Sequence, residues 1–107
     1  MSARSEIERK VLSWPNTSAH PHRFGGVEFR FGTREIGHLH GNKLVDIPFP
    51  SKVHDELVAA GLAQLHHVMP ESGWVSFYIS RDEDIQAAID LLRRSYDIAA
   101  KQTPSKD

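Results

Sequence analysis

Residues 26–48 read Gly-Val-Glu-Phe-Arg-Phe-Gly-Thr-Arg-Glu-Ile-Gly-His-Leu-His-Gly-Asn-Lys-Leu-Val-Asp-Ile-Pro, and their alternation decides the fold class. Val27, Phe29 and Phe31 alternate with Glu28 and Arg30. That is what a half-buried strand requires, because successive side chains of an extended chain point to opposite faces. Gly32-Thr33 supplies a turn, and a second strand follows over about Arg34 to His40. Gly41-Asn42 suits a two-residue hairpin loop, since both residues tolerate positive φ. Leu44 to Pro48 then returns as a third strand, and Pro48, which has no N–H to donate, ends its ladder.

Downstream, Ser51 caps a short helix whose apolar face is Val53, Leu57 and Val58 and whose stop is Gly61. Two more strands are expected, about Leu62 to Val68 and Gly73 to Ser80, paired as a hairpin across Met69-Pro70-Glu71-Ser72. Ser80-Arg81-Asp82-Glu83 reads as a capping box for a long helix striped by Ile85, Ala88, Ile89, Leu92, Tyr96 and Ala99. Upstream, Ser5-Glu6-Ile7-Glu8 reads as another capping box, for a short helix that ends near Trp14-Pro15. The stretch Asn16 to Arg23, with Pro21 and two histidines and no evident period, reads as a loop. Residues 1–101 form one expected domain, followed by a polar tail over 102–107 that frays.

The order α-β-β-β-α-β-β-α, with hairpins in place of alternating βα units, predicts an α+β fold. It is an antiparallel β-sheet of about five strands with helices packed on one face. At 107 residues one core is the normal outcome. Thirteen basic against fourteen acidic residues leave a net charge of −1, which offers nucleic acid no global attraction. Without cysteine there is no disulfide framework, thiol nucleophile or thiolate metal site. No run approaches the roughly 18 apolar residues of a membrane span, and the first residues lack the apolar core of a signal peptide, so no membrane association and a cytoplasmic location are expected. Phosphate-loop, dinucleotide, G-x-S-x-G and H-E-x-x-H motifs are missing.

Histidine is the chemical clue: there are seven, four of them in the pairs His38/His40 and His66/His67. His38 and His40 stand two apart on a predicted strand, so both imidazoles face the same side. There they suit a divalent metal or an anionic ligand. Asp46 and His67 compete for third place; across a strict two-residue Gly41-Asn42 turn, Asp46 points to the opposite face, which favours His67. The candidate metal set is therefore His38, His40 and His67, in a site suited to zinc, nickel or copper.

Asp46, a carboxylate among Leu44, Val45 and Ile47, is either the solvent-side residue of its strand or a buried, paired acid. Glu35 is equally ambiguous. Arg23, Arg30 and Arg34 with His20 and His22 make a locally basic stretch able to hold a phosphate or carboxylate. Trp74, Ser76 and Tyr78 share a face opposite Val75, Phe77 and Ile79, either as a platform for a small-molecule ligand or as a homodimer surface.

Several stretches together carry a family resemblance: His22-Arg23-Phe24-Gly25-Gly26, residues 34–40, Val45-Asp46-Ile47-Pro48-Phe49, residues 66–77, and Leu91 to Tyr96. On these the chain resembles the small proteins of the luciferase-domain family, a likeness that implies no light emission. The late Trp before a strand and the Ser-Tyr in the last helix are also similar to the YjbR-like proteins with a frataxin-related α+β fold. That second likeness implies a curved antiparallel sheet under two helices and a suggested DNA-binding role, against which the charge balance argues.

The functional expectation is a small-ligand or metal-binding module whose sheet face uses His38, His40 and His67, with Arg23, Asp46 and Trp74 as further ligand contacts. The alternatives are a small enzyme in which a histidine base is oriented by Asp46 or Glu35, and an interaction module for nucleic acid or protein.

Overall fold

The computed structural model describes residues 2–102. Helix α1 (Ala3–Val11) leads into strand β1 (Thr17–His22), a single 3-10 turn (Arg23–Gly25), and strands β2 (Gly26–Phe31), β3 (Arg34–His40) and β4 (Leu44–Pro48). Helix α2 (Ser51–Ala59), strands β5 (Gln64–Leu65) and β6 (Trp74–Tyr78) and helix α3 (Asp82–Gln102) complete the chain. The six strands form one open sheet in the order β1-β2-β3-β4-β6-β5, antiparallel throughout. This is the expected α+β architecture with one strand more than the expected five or so.

One face of the sheet carries the core. Phe29, Ile36, Leu39, Val45, Ile47 and Val75 are fully buried there against Ile7 and Val11 of α1 and Ala88, Leu92 and Ala99 of α3. Each large aliphatic or aromatic side chain so buried contributes about 1.5–3 kcal/mol of transfer free energy. Trp14 and Tyr96 pack at 5.2 Å between ring centroids, Arg93 lies over both rings, and the Tyr96 hydroxyl donates to the Pro15 carbonyl at 2.9 Å. These contacts fasten α3 to the end of α1 and leave the other face of the sheet to the polar side chains.

Several local expectations are corrected. Helix α1 is capped by Ser2, whose hydroxyl accepts from Ser5 N, so it starts before the expected Ser5 box. Residues 17–22 are an edge strand, not a loop. Thr17 pairs with Phe31 and His22 with Gly26, and Pro21 is tolerated because an edge strand has one side without ladder bonds. The strand expected from Leu62 to Val68 shrinks to Gln64–Leu65, and residues 66–69 turn back over the sheet. Helix α3 opens at Asp82, with the Asp84 carboxylate accepting from Ser80 N and Arg81 N in place of a Ser80 cap. Gln102 closes that helix instead of opening a tail; the rest of the expected tail, 103–107, lies outside the described residues.

Two departures from regular pairing shape the polar face. His40 pairs with Leu44, so the β3–β4 loop has three residues, Gly41, Asn42 and Lys43, with Gly41 at φ 61° where the chain turns. Between β2 and β3 the register slips: Phe29 faces Gly37 but Arg30 faces Glu35, leaving Ile36 as the extra residue of a bulge. Gly37 sits there at φ 156°, and a Cβ on it would stand 2.6 Å from Leu92 Cδ2 and 3.2 Å from the Asp46 carbonyl.

Candidate functional site

The three-residue loop places Asp46 directly opposite His38, on the face that also carries His40. This overturns the placement of Asp46 that a two-residue turn implies: one added residue turns every side chain of β4 over. The bulge does the same for Glu35, which strict alternation puts on the face opposite His38 and the slip brings round to it. On β6, Ser76 lies opposite Asp46, and β5 delivers His66 and His67 to its other flank.

Asp46 is fully buried. Its Oδ1 accepts a 2.7 Å hydrogen bond from the Ser76 hydroxyl. Its Oδ2 has the Nε2 atoms of four imidazoles around it: His67 at 3.0 Å, His40 at 3.1 Å, His38 at 3.3 Å and His66 at 3.5 Å. One carboxylate oxygen has two lone pairs to offer N–H donors. Four ring nitrogens therefore exceed what hydrogen bonding to that oxygen can satisfy.

The histidines are not equivalent. His66 Nδ1 accepts from the backbone N–H groups of Val68 and Met69, at 3.2 and 2.9 Å, so its proton sits on Nε2 and points at Asp46. Burial, together with the charges of His67 and His38, lowers its pKa against the pull of Asp46, and it remains neutral. His38 is the opposite case. Burial disfavours its charge, yet hydrogen bonds to Asp46 and Glu35, the latter 2.7 Å from Nδ1, raise its pKa to about 9. At neutral pH it is an imidazolium held between two carboxylates and donates to both. His40 is lowered by burial and by the His38 charge, and is neutral. Burial by itself raises the Asp46 pKa, but hydrogen bonds from His38, Ser76 and His67 overcome it and hold the group well below the usual carboxylate range.

His40, Asp46 and His67 bring one ligand atom each to within 4.8 Å of one another, as do His22, His38 and His40. The 3.0 and 3.1 Å separations of His67 and His40 from Asp46 Oδ2 match the spacing of neighbouring donors around one transition-metal ion, about 3.0–3.5 Å for bonds near 2.1 Å. Ser76, His38 and His66 supply the outer hydrogen bonds that orient the carboxylate of such a site.

Above this cluster lies a cleft of about 660 Å³. Trp74 lines it, half-buried, its ring 5.1 Å from His38 and 6.2 Å from His66. Arg23 and Phe24 lie on one rim and Val68 and Met69 on another. All six sequence-selected residues, Arg23, His38, His40, Asp46, His67 and Trp74, thus line one cleft. Of the wider basic stretch His22 also lines it, stacked on His38 at 4.0 Å, whereas Arg30 pairs with Glu28 at 2.6 Å and Arg34 reaches Gln102. The platform of Trp74, Ser76 and Tyr78 is also divided, with Ser76 buried under Asp46 and Tyr78 exposed. His66 and Ser76 were not among the selected residues. Tyr78 shares Ser76's face by alternation, so only the partner carboxylate distinguishes them.

The fold and cleft define a small α+β domain with a His/Asp cluster able to bind metal. A family model described as the Luciferase domain matches residues 33–95, more than half of the chain, and the chain belongs to that family. The match runs from β3 into α3 and includes His38, His40, Asp46, His66, His67 and Trp74, while β1 and the Arg23-Phe24 rim precede it. No curated protein and no solved structure matches the chain, and nothing among these comparisons supports the YjbR-like resemblance. No helix among the described residues is long and apolar enough to cross a membrane.

Proposed function

We propose that the domain is a metal-binding module that holds one divalent transition ion on His40, Asp46 and His67 and presents it to a small ligand in the cleft. The observation that carries this reading is the crowding of four imidazole Nε2 atoms within 3.5 Å of one carboxylate oxygen. Such crowding is resolved when a cation takes the lone pairs of the neutral rings. Two imidazoles and one carboxylate are donors suited to zinc, nickel, copper or divalent iron, and three protein ligands leave positions open for water or an anion. The ion supplies a Lewis acid; His38 and Ser76 orient the carboxylate that holds it.

The test is metal analysis of untagged protein, with zinc, nickel and copper titrated into wild type and into a His40→Ala/His67→Ala variant while thermal unfolding is followed. One equivalent of metal is expected, with a rise in Tm in wild type that is lost in the variant. Absence of both stoichiometric metal and metal-linked stabilisation overturns the reading.

A further inference from the structure

Phe24 is the most anomalous residue of the chain. Its backbone lies in the left-handed region, φ 56° and ψ 37°, which an aromatic residue rarely adopts. Its side chain is 98% exposed, so no packing offsets that strain. It occupies the turn between β1 and β2, next to Arg23, at the mouth of the cleft. Arg23 makes no ion pair among the described residues. Across the mouth, Val68 and Met69 are also exposed, at 69% and 51%, and Trp74 forms an inner wall. Strain and exposed apolar surface gathered at one opening mark a place where a ligand completes the packing.

Charge sets the other half of the ligand. With an ion bound, its two positive charges and that of Arg23 outnumber the two carboxylates that line the cleft, Asp46 and Glu35, by one. The cleft volume, about 660 Å³, falls in the usual range for a single small molecule.

We propose that the cleft takes a small organic anion with a flat apolar body, its anionic head at the metal and Arg23 and its body between Trp74 and Phe24. This rests on the metal-binding reading of the same cleft. Phe24 is kept in its strained conformation because that conformation holds the ring over the ligand.

The probe is 2-naphthoate, titrated calorimetrically into nickel-loaded protein beside acetate, which has the head without the body, and 2-naphthylmethanol, which has the body without the charge. Naphthoate is expected to bind one to one and about tenfold or more tighter than either control, since both ends contribute. Phe24→Asn keeps a residue at ease in the left-handed region and removes the ring. It should weaken naphthoate by about tenfold, leave the nickel stoichiometry unchanged and raise Tm. Arg23→Gln should weaken naphthoate but not naphthylmethanol.

Equal binding of naphthoate and either control, or indifference to Phe24→Asn, overturns the proposal while leaving the metal site standing. If nickel does not load, the metal reading falls first and naphthoate titrated into metal-free protein decides the cleft. Binding that depends on Phe24 and Arg23 supports the cleft assignment, and its absence overturns it.

Discussion

His38 and Asp46 face each other across β3 and β4, with His38 Nε2 3.3 Å from Asp46 Oδ2 and the second ring nitrogen of His38 on Glu35. An imidazolium between two carboxylates is thereby buried at the floor of the cleft. Its charge depends on both partners.

Asp46→Asn should lower the His38 pKa from about 9, because the neutral amide removes one of the two attractions that offset burial. An NMR titration of the His38 ring in metal-free protein measures this directly. A value that stays near 9 in the variant would show that Glu35 alone maintains the charge.

The stability of the metal-free protein should peak near pH 6.5 and fall on both sides, by about pH 9 on the alkaline side as the His38 contribution is lost. His38 is raised in the folded state, so its contribution is complete below the unfolded value of 6.5 and is lost as pH rises through about 9. His40 and His66 are lowered, so below 6.5 the unfolded chain binds more protons than the folded one and stability falls with acid. Asp46, also lowered, loses its contribution only at still more acid pH, below its unfolded value of 3.8. Urea midpoints measured from pH 4 to 10 should trace this maximum, and a profile that is flat or rising between pH 6.5 and 9 would contradict the assignment.

Metal uptake should release protons and weaken on acidification. The ligand nitrogens must be unprotonated, and a nearby dication expels the second proton of His38. Calorimetric titration of zinc in buffers of different ionisation enthalpy counts those protons. Binding without proton release would be inconsistent with a site next to His38.

Gly37→Ala should destabilise the fold by about 1–3 kcal/mol, as overpacking of a filled core does. The new Cβ meets Leu92, which is fully buried and cannot swing aside, and a φ of 156° suits no other residue. The same change strains the bulge that directs Glu35 to His38. Denaturant unfolding with a drop in the His38 pKa is the expected pair of results; loss of stability alone would separate the bulge from the site.

His54 serves as the contrast. It is buried, its Nδ1 is 2.9 Å from Asp55 Oδ1, and its Nε2 has no partner among the described residues. Removing a buried polar atom that lacks a hydrogen bond relieves a desolvation cost, so His54→Leu should be neutral or stabilising by about 1 kcal/mol. Clear destabilisation in an unfolding curve would mean that the Nε2 atom is satisfied in solution.

The regular elements were legible where a long apolar period could be read. The alternations Val27-Phe29-Phe31 and Val75-Phe77-Ile79 and the helical stripe from Ile85 to Ala99 each bury one face, and burial enforces periodicity. The edge strand β1 was missed because its side chains are polar and Pro21 looks like a breaker, although an edge strand tolerates it. His38 and His40 were legible as a pair because two residues of one strand share a face whatever surrounds them.

The sequence by itself determined the fold class, the helices of the core and the set of side chains from which a site could be made. These depend on local period and hydrophobicity. The tertiary structure alone decided how that set is arranged. The third loop residue, Lys43, turned Asp46 to the histidine face, the bulge at Ile36 brought Glu35 behind His38, and the shortening of β5 let His66 and His67 reach the carboxylate. Register and bulges are settled by the packing of the whole sheet, and a slip of one residue exchanges core for cleft.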